Sequence, residues 1–451
     1  TYLVSAINVP CNWKRVPMSD LHDLCRLSQR PIDQSYSESL RFYLKAGIPA
    51  TYTIEEAYNY TKNIEDEPNT TTTPLHLLFT HMPLDCSAAE LEVIEELVST
   101  LLEFGAGWCL TDVNDETPGC ILLRRGLGNT ILYEQIVNAG VRAELLLRKV
   151  SEFDMEFIEN PEQAEEAIED SAPSPQLGQH TSAGDEKIEG NAPVSVSQST
   201  TNEASPPNDL AFEDPSYNQD AYLKSKLQYK EGALVTEDHQ DGIMMEWERD
   251  LMRLGCESLF KGLKVGAEEV DPEVNILNIG FGMGIIDEMI SKKNPTKHYI
   301  CEAHPDVLKK LKDDGWYERP NVVILEGRWQ EQLDKLLSLG EVFFNGIYYD
   351  TFSEHYQDML ELFDYVVGLM KPHGVFSFFN GLGADRQVIY DVYRKLVEID
   401  LENYGLMCNF MEVKVPEDTM RKGDASVWEG IRKAYWLCPT FYHPEARFVD
   451  V

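Results

Sequence analysis

The chain has 451 residues, 39 Lys and Arg against 77 Asp and Glu, and a formal net charge of −38. The length suits two or three domains, and an apolar fraction of 43% excludes a wholly disordered chain. Residues 1–150, 151–210 and 211–451 carry −8, −13 and −17, so no basic domain hides in the average; no nucleic acid and no anionic membrane is expected as a partner, and a cationic one suits better.

No apolar stretch approaches the ~20 residues a membrane helix needs, and the first residues lack the basic segment of a signal peptide. The nine Cys are scattered, with no Cys-x-x-Cys pair, and no His-Glu-x-x-His occurs. Zinc, a redox pair and a disulfide framework are therefore not expected, and a reducing cytoplasmic or nuclear setting is.

The first part of the chain, 1–158, reads as helical. Ser37–Gly47, Leu91–Gly105 and Ile131–Gly140 are amphipathic runs that each stop at glycine, the residue that supplies a left-handed C-cap. Thr73-Pro-Leu-His76 and Thr117-Pro118 each open a further helix. The Thr-Pro-Leu-His box, followed by a second helix ending Leu102-Glu-Phe-Gly-Ala106, resembles ankyrin repeats. The two Thr-Pro boxes lie further apart than one repeat, which requires an insertion around His81–Ala89; an unrelated helical bundle is the competing reading. His76 is expected to be a hydrogen-bonded structural histidine. Residues 159–210 follow as an acidic linker: from 161 to 210 there are six Pro and no Phe, Tyr or Trp, too little apolar surface to offset the entropy of ordering.

From 211 to 451 strands and helices alternate. Asn275–Gly280, residues 298–303, 322–327 and 343–350, and Gly374–Phe379 are apolar strands separated by helical runs, which predicts a doubly wound, mostly parallel sheet. Ligands of such sheets sit at the carboxyl ends of the strands near the switch point. The first strand runs into glycines at 280, 282 and 284. A dinucleotide fold wants Gly-x-Gly-x-x-Gly, yet position 285 is Ile. The spacing suits better a loop against the uncharged methionine tail of S-adenosylmethionine (AdoMet), with Glu302 at the end of the next strand accepting from the ribose hydroxyls.

Six segments in order then carry a resemblance: Ile243–Met252 (IMMEWERDLM), Leu277–Gly284, Cys301–His304, Leu325–Trp329, Ile347–Phe352 and Met370–Asn380. Together they resemble guanidinoacetate methyltransferase and, more closely, the fungal type IV protein arginine methyltransferases that modify the δ nitrogen. The resemblance implies a class I AdoMet methyltransferase domain with a seven-stranded sheet, preceded by an ankyrin-repeat-like all-α domain. Residue by residue, it implies that Phe281, Gly282, Met283, Gly284, Ile285 and Ile286 wrap the methionine part of AdoMet. Glu302 would hold the ribose, with Ala303, His304, Arg328 and Trp329 beside the adenine. Met244 and Met252, from a helix ahead of the first strand, would pack near the sulfonium, and Tyr222 would cover the cofactor. Glu248 and Asp350 match the carboxylates that grip the guanidino group, Asp350 also bordering the cofactor.

That pairing fits the chemistry, because a guanidinium is always protonated and its fork suits carboxylates. Neither a metal nor a covalent intermediate is required. His355 is a candidate for receiving the released proton, a structural role being the competing reading. Asn278 stands where this class often has an acid, and is expected to accept a hydrogen bond in its place. The leading expectation is AdoMet-dependent methylation of the δ nitrogen of arginine in a protein, with a ribosomal protein as the substrate the family suggests. The repeat module would supply docking contacts or those of a homodimer. The alternatives are methylation of a small guanidino compound, and an ankyrin-type scaffold whose methyltransferase fold only binds AdoMet.

Overall fold

In the computed structural model, which describes residues 20–158 and 214–449 apart from 66, 69, 264–270, 421–426 and 433, the chain forms two compact units, one before and one after residue 201. The acidic segment 159–210 lies outside the described residues.

The first unit is helical: α1 (Asp20–Cys25), α2 (Gln34–Lys45), α3 (Ile54–Lys62), α4 (Pro74–His81), α5 (Ala88–Glu103), α6 (Pro118–Arg124) and α7 (Ile131–Ile158). Both Thr-Pro pairs act as their chemistry dictates. Thr73 and Thr117 are the N-caps of α4 and α6, and each Pro fills the first turn, where its missing N–H is no loss. α1 packs on α4 and α4 on α6, while α2 packs on α5 and α5 on α7, giving two stacked layers of helices. α3 is an addition between the first pair and the Thr73 box.

Gly47 and Gly105 take left-handed φ values of 95° and 85° just beyond α2 and α5, as expected of C-caps. Gly140 does not. It is buried inside α7, which runs on to Ile158. Ile136, Val137 and Val141 are all buried around it, and burying that stripe outweighs the ~1 kcal/mol that a mid-helix glycine costs. His76 is structural: its Nδ1 accepts from the Thr73 N–H at 3.2 Å, leaving Nε2 to donate to the carbonyls of Leu110 and Glu116 at 3.0 and 3.1 Å.

The second unit opens with α8 (Gln219–Lys224) and an antiparallel three-stranded sheet of β1 (Leu227–Lys230), β2 (Ala233–Thr236) and β3 (Gly242–Met245). A single 3-10 turn, Glu246–Glu248, then leads into α9 (Arg249–Leu259). Met244 is thus on a strand, not on the helix the sequence suggested; four-residue strands are too short for a periodicity to show. The main sheet contains β4 (Asn275–Ile279), β5 (Lys297–Glu302), β6 (Val322–Glu326), β7 (Phe344–Tyr349), β8 (Met370–Phe378), β9 (Leu406–Lys414) and β10 (Thr440–Phe448).

Its order is β6-β5-β4-β7-β8-β10-β9, parallel except for β10, which runs against both neighbours. Helices α10 (Ile285–Lys293), α11 (Pro305–Asp313), α12 (Trp329–Leu339), α13 (Tyr356–Leu369) and α14 (Gln387–Asn403) complete the unit. Successive β4 side chains feed opposite faces: Ile276 joins the core with Ile285 and Ile286, and Leu277 and Ile279 the core with Phe363 and Phe376. β4 has β5 on one side and β7 on the other, so the chain reverses direction across the sheet at its carboxyl end, where a ligand crevice is expected. Among the described residues no helix is long and apolar enough to cross a membrane.

Candidate active site

The glycine turn is forced by its surroundings. Gly280 sits at φ 93°, and a Cβ there would lie 1.9 Å from the Asp350 carbonyl oxygen. Its N–H donates to the Cys301 carbonyl at 2.9 Å, and the Asp350 N–H donates to that of Ile279 at 2.9 Å. The ends of β4, β5 and β7 are therefore drawn together by backbone alone. Gly282, at φ 54°, leaves space that the Met244 side chain fills, a Cβ there lying 2.6 Å from its Cε.

Glu302 ends β5 buried beside this turn. Its carboxylate accepts the N–H groups of Phe281, Ala303 and His304 at 2.9, 2.8 and 2.7 Å. Burial pushes its pKa up, and those backbone donors pull the other way. The cleft in front is lined by Tyr222, Met244, Gly280, Gly282, Glu302, Ala303, Arg328, Trp329 and Asp350, nine of the residues singled out from the sequence. Tyr222 packs its ring against His304 at 4.8 Å and Phe352 at 5.0 Å. Arg328 pairs with Asp220.

Other singled-out residues, Glu248 among them, do not line the cleft. Met252, Ile285 and Ile286 are buried in the core behind it, and the Phe281 ring points to Trp316, 5.4 Å away. Met283 contributes its N–H, donated to the Met244 sulfur, and Gly284 caps α10. The His304 ring caps α11, its Nδ1 accepting the Asp306 N–H at 3.1 Å. His355 is an exposed cap of α13, its Nε2 3.2 Å from the Tyr217 carbonyl, which leaves no sign of a proton-accepting role. Asn278 was expected to accept; its amide instead donates to Gly280 O and to Asp287, both at 2.8 Å. A buried acid does stand here, Asp287 on α10, held by Asn278 and by His298.

Glu248 is buried and Asp350 half-buried, and the field of Asp350 acts on Glu248. One oxygen of Glu248 accepts the Met245 N–H at 3.2 Å and the Tyr435 hydroxyl. Asp350 Oδ2 is buried with no hydrogen-bond partner. Burial, then the charge of Asp350, drives the Glu248 pKa well up; burial and the charge of Asp287 push Asp350 up to about 7. Glu354 was missed from sequence. It lines the cleft and accepts from Trp329 Nε1 at 2.8 Å, from Thr351 at 2.7 Å and from Tyr349. In sequence it is an ordinary acid near a helix start. Tyr435 lies 187 residues from Glu248, beyond any local signal.

Among the described residues no Lys or Arg pairs with Glu248, Glu302, Asp350 or Glu354, and no group there has the make-up of a metal site. A buried, unpaired carboxylate is costly, so the site asks for cationic ligands. A sulfonium and a guanidinium both fit that demand, and Glu302 Oε2, which accepts one N–H against two on Oε1, has room to accept a hydroxyl.

Because a folded-state value raised above the ordinary carboxylate range is relieved by protonation, Asp350 favours folding most at low pH and loses that contribution as pH rises through about 7. For Asp350 the difference is on the order of 4 kcal/mol. Melting curves of the ligand-free protein should therefore fall more steeply from pH 5 to 8 in the wild type than in Asp350→Asn. Parallel curves would show that Asp350 is ionised at little cost.

Sheet order, glycine turn and Glu302 cradle together define an AdoMet-dependent methyltransferase. Residues 238–407 match the family model of guanidinoacetate N-methyltransferase. Over 96% of this chain and all of theirs, the proteins named protein arginine N-methyltransferase 2 from Debaryomyces hansenii and Saccharomyces cerevisiae are 63% and 44% identical to it. The chain belongs to the protein arginine N-methyltransferase 2 family. Among solved structures, an O-methyltransferase from Streptomyces achromogenes in complex with SAM covers 45% of this chain and 80% of its own at 15% identity and a TM-score of 0.30, too distant to argue from.

Proposed function

We propose that the chain methylates the δ nitrogen of an arginine in a protein, with a ribosomal protein as the substrate class. The observation that carries this reading is the buried, partnerless Oδ2 of Asp350 beside buried Glu248, at the strand end that abuts the glycine turn. A guanidinium supplies both the charge and the donors that this pair lacks. Glu302 would hold the ribose, Ala303, Arg328 and Trp329 would border the adenine, Tyr222 would cover the cofactor, and Met244 would pack by the sulfur.

Bound AdoMet supplies an electrophilic methyl on a sulfonium, which leaves as the neutral thioether once a carbon–nitrogen bond has replaced the carbon–sulfur bond. The residues of the chain do the rest by orientation and field. Asp350 and Glu248 fix the plane of the guanidinium and oppose its positive charge. The nitrogen being methylated loses one N–H proton, and Asp350, whose pKa burial has raised to about 7, accepts it. Since the guanidinium binds the ionised pair, kcat/KM should rise with pH through about 7; a profile flat from pH 6 to 8 would contradict this.

The helical unit is read as an ankyrin-repeat array. Its two stacked layers, its twin Thr-Pro caps and the bonds from His76 to carbonyls 34 and 40 residues on support that. Such an array would dock the substrate protein or a second copy of the chain. The match to guanidinoacetate N-methyltransferase favours a second reading, a free guanidino compound as substrate. Offering labelled AdoMet with an acid-extracted basic protein fraction, and separately with guanidinoacetate, separates the two. Label is expected in protein; label in guanidinoacetate alone would overturn the protein reading.

A further inference from the structure

A guanidinium has near-threefold symmetry, so an enzyme that methylates one of its three nitrogens must break that symmetry. A carboxylate with both oxygens free grips two N–H groups along one edge. Two such carboxylates hold two edges, an arrangement that is satisfied almost equally after the group turns within its plane. Two oxygens on one side and one on the other admit fewer orientations.

The structure has that second arrangement. Glu248 Oε1 is already taken by the Met245 N–H and the Tyr435 hydroxyl. Among the described residues no donor reaches its other oxygen, and none reaches either oxygen of Asp350. The Tyr435 phenol stays protonated, since burial and the charge of Glu248 drive its pKa well up, so toward the Glu248 carboxylate it is the donor. Its ring is held edge-on against Trp428 at 4.7 Å, and lies so close to Gly242 that a Cβ there would come within 3.1 Å. It cannot swing aside to release Glu248 without repacking that wall.

We propose that Tyr435 selects the nitrogen to be methylated, by occupying one oxygen of Glu248 and leaving an asymmetric set of two acceptors on Asp350 and one on Glu248. The proposal rests on guanidinium binding at this pair as read above, but not on which nitrogen is favoured. Tyr435 is a positioning residue, acting through Glu248.

The test is Tyr435→Phe, which deletes the hydroxyl and keeps the ring. Full-length wild type and variant are given labelled AdoMet and the acid-extracted basic protein fraction, the protein is hydrolysed, and the monomethylarginine isomers are separated. Wild type is expected to give one isomer. The variant should give a second at one tenth or more of the product, with kcat/KM for the protein down roughly tenfold and AdoMet affinity within about twofold. The same single isomer from the variant, at whatever rate, would overturn the proposal. No methylarginine from the wild type would instead overturn the reading of the site on which it rests.

Discussion

Asp350→Asn is expected to lower kcat by about a thousandfold, with AdoMet affinity changed by only a few fold. The substitution keeps the shape of the side chain at the end of β7, so the turn that joins β4 and β7 through the Asp350 N–H survives. It removes the charge, one of the acceptor oxygens and the proton acceptor together. The effect is bounded by a compensation: the charge of Asp350 is one of the two causes raising Glu248, so in the variant Glu248 ionises more readily and still attracts the cation. Binding of the arginine substrate should accordingly suffer less than turnover. Single-turnover rates alongside cofactor titration would show this split, and turnover within tenfold of wild type would remove Asp350 from the chemistry.

Gly280→Ala should abolish AdoMet binding, raising its dissociation constant by at least a hundredfold, and destabilise the second unit by several kcal/mol. Two costs combine. A non-glycine residue at φ 93° is strained, and its Cβ would meet the Asp350 carbonyl at 1.9 Å, backbone against backbone, so one strand end must move. Movement there shifts the glycine turn, Asp350 and, through the Cys301 carbonyl, the end of β5 that bears Glu302. Gly340→Ala is the matched control: it too has positive φ, 64°, but its Cβ would meet nothing within 4 Å. That variant should lose only ~1 kcal/mol and bind AdoMet normally. Equal effects from the two would mean that backbone strain, not collision, explains the turn.

The sequence makes the centre of the fold legible and leaves its periphery obscure, for physical reasons. β4, β5 and β7 are central parallel strands, buried on both faces, and continuous apolar runs such as NILNI and NGIYY betray them. Glu302 and Asp350 stand out because each is an acid closing such a run. β9, at the sheet edge, exposes the apolar Met407 and Met411, which blurs its alternation, and β1–β3 are four residues long, so neither shows a clear pattern. Tyr435 and Glu354 became visible only through contacts, one long-range and the other made by a turn whose path the sequence does not fix. Gly140 misled because local propensity was read without the burial that overrides it. Five of the six segments behind the family resemblance line this same central crevice, Met370–Asn380 being the exception, so the site is easier to read than the small sheet flanking it.

The chain carries a net charge of −38. Among its acids, Glu302, Asp350 and Glu354 line one crevice and Glu248 is buried within reach of the Asp350 charge, all without described basic partners. Their concentration there is the physical signature of a site for cations.

The central claim is tested most directly by the identity of the methylated nitrogen. Protein from the acid-extracted basic fraction, methylated by the wild-type chain, is hydrolysed and its methylarginine identified by fragmentation mass spectrometry. δ-N-methylarginine is expected; ω-N-methylarginine as the sole product would overturn the proposed function.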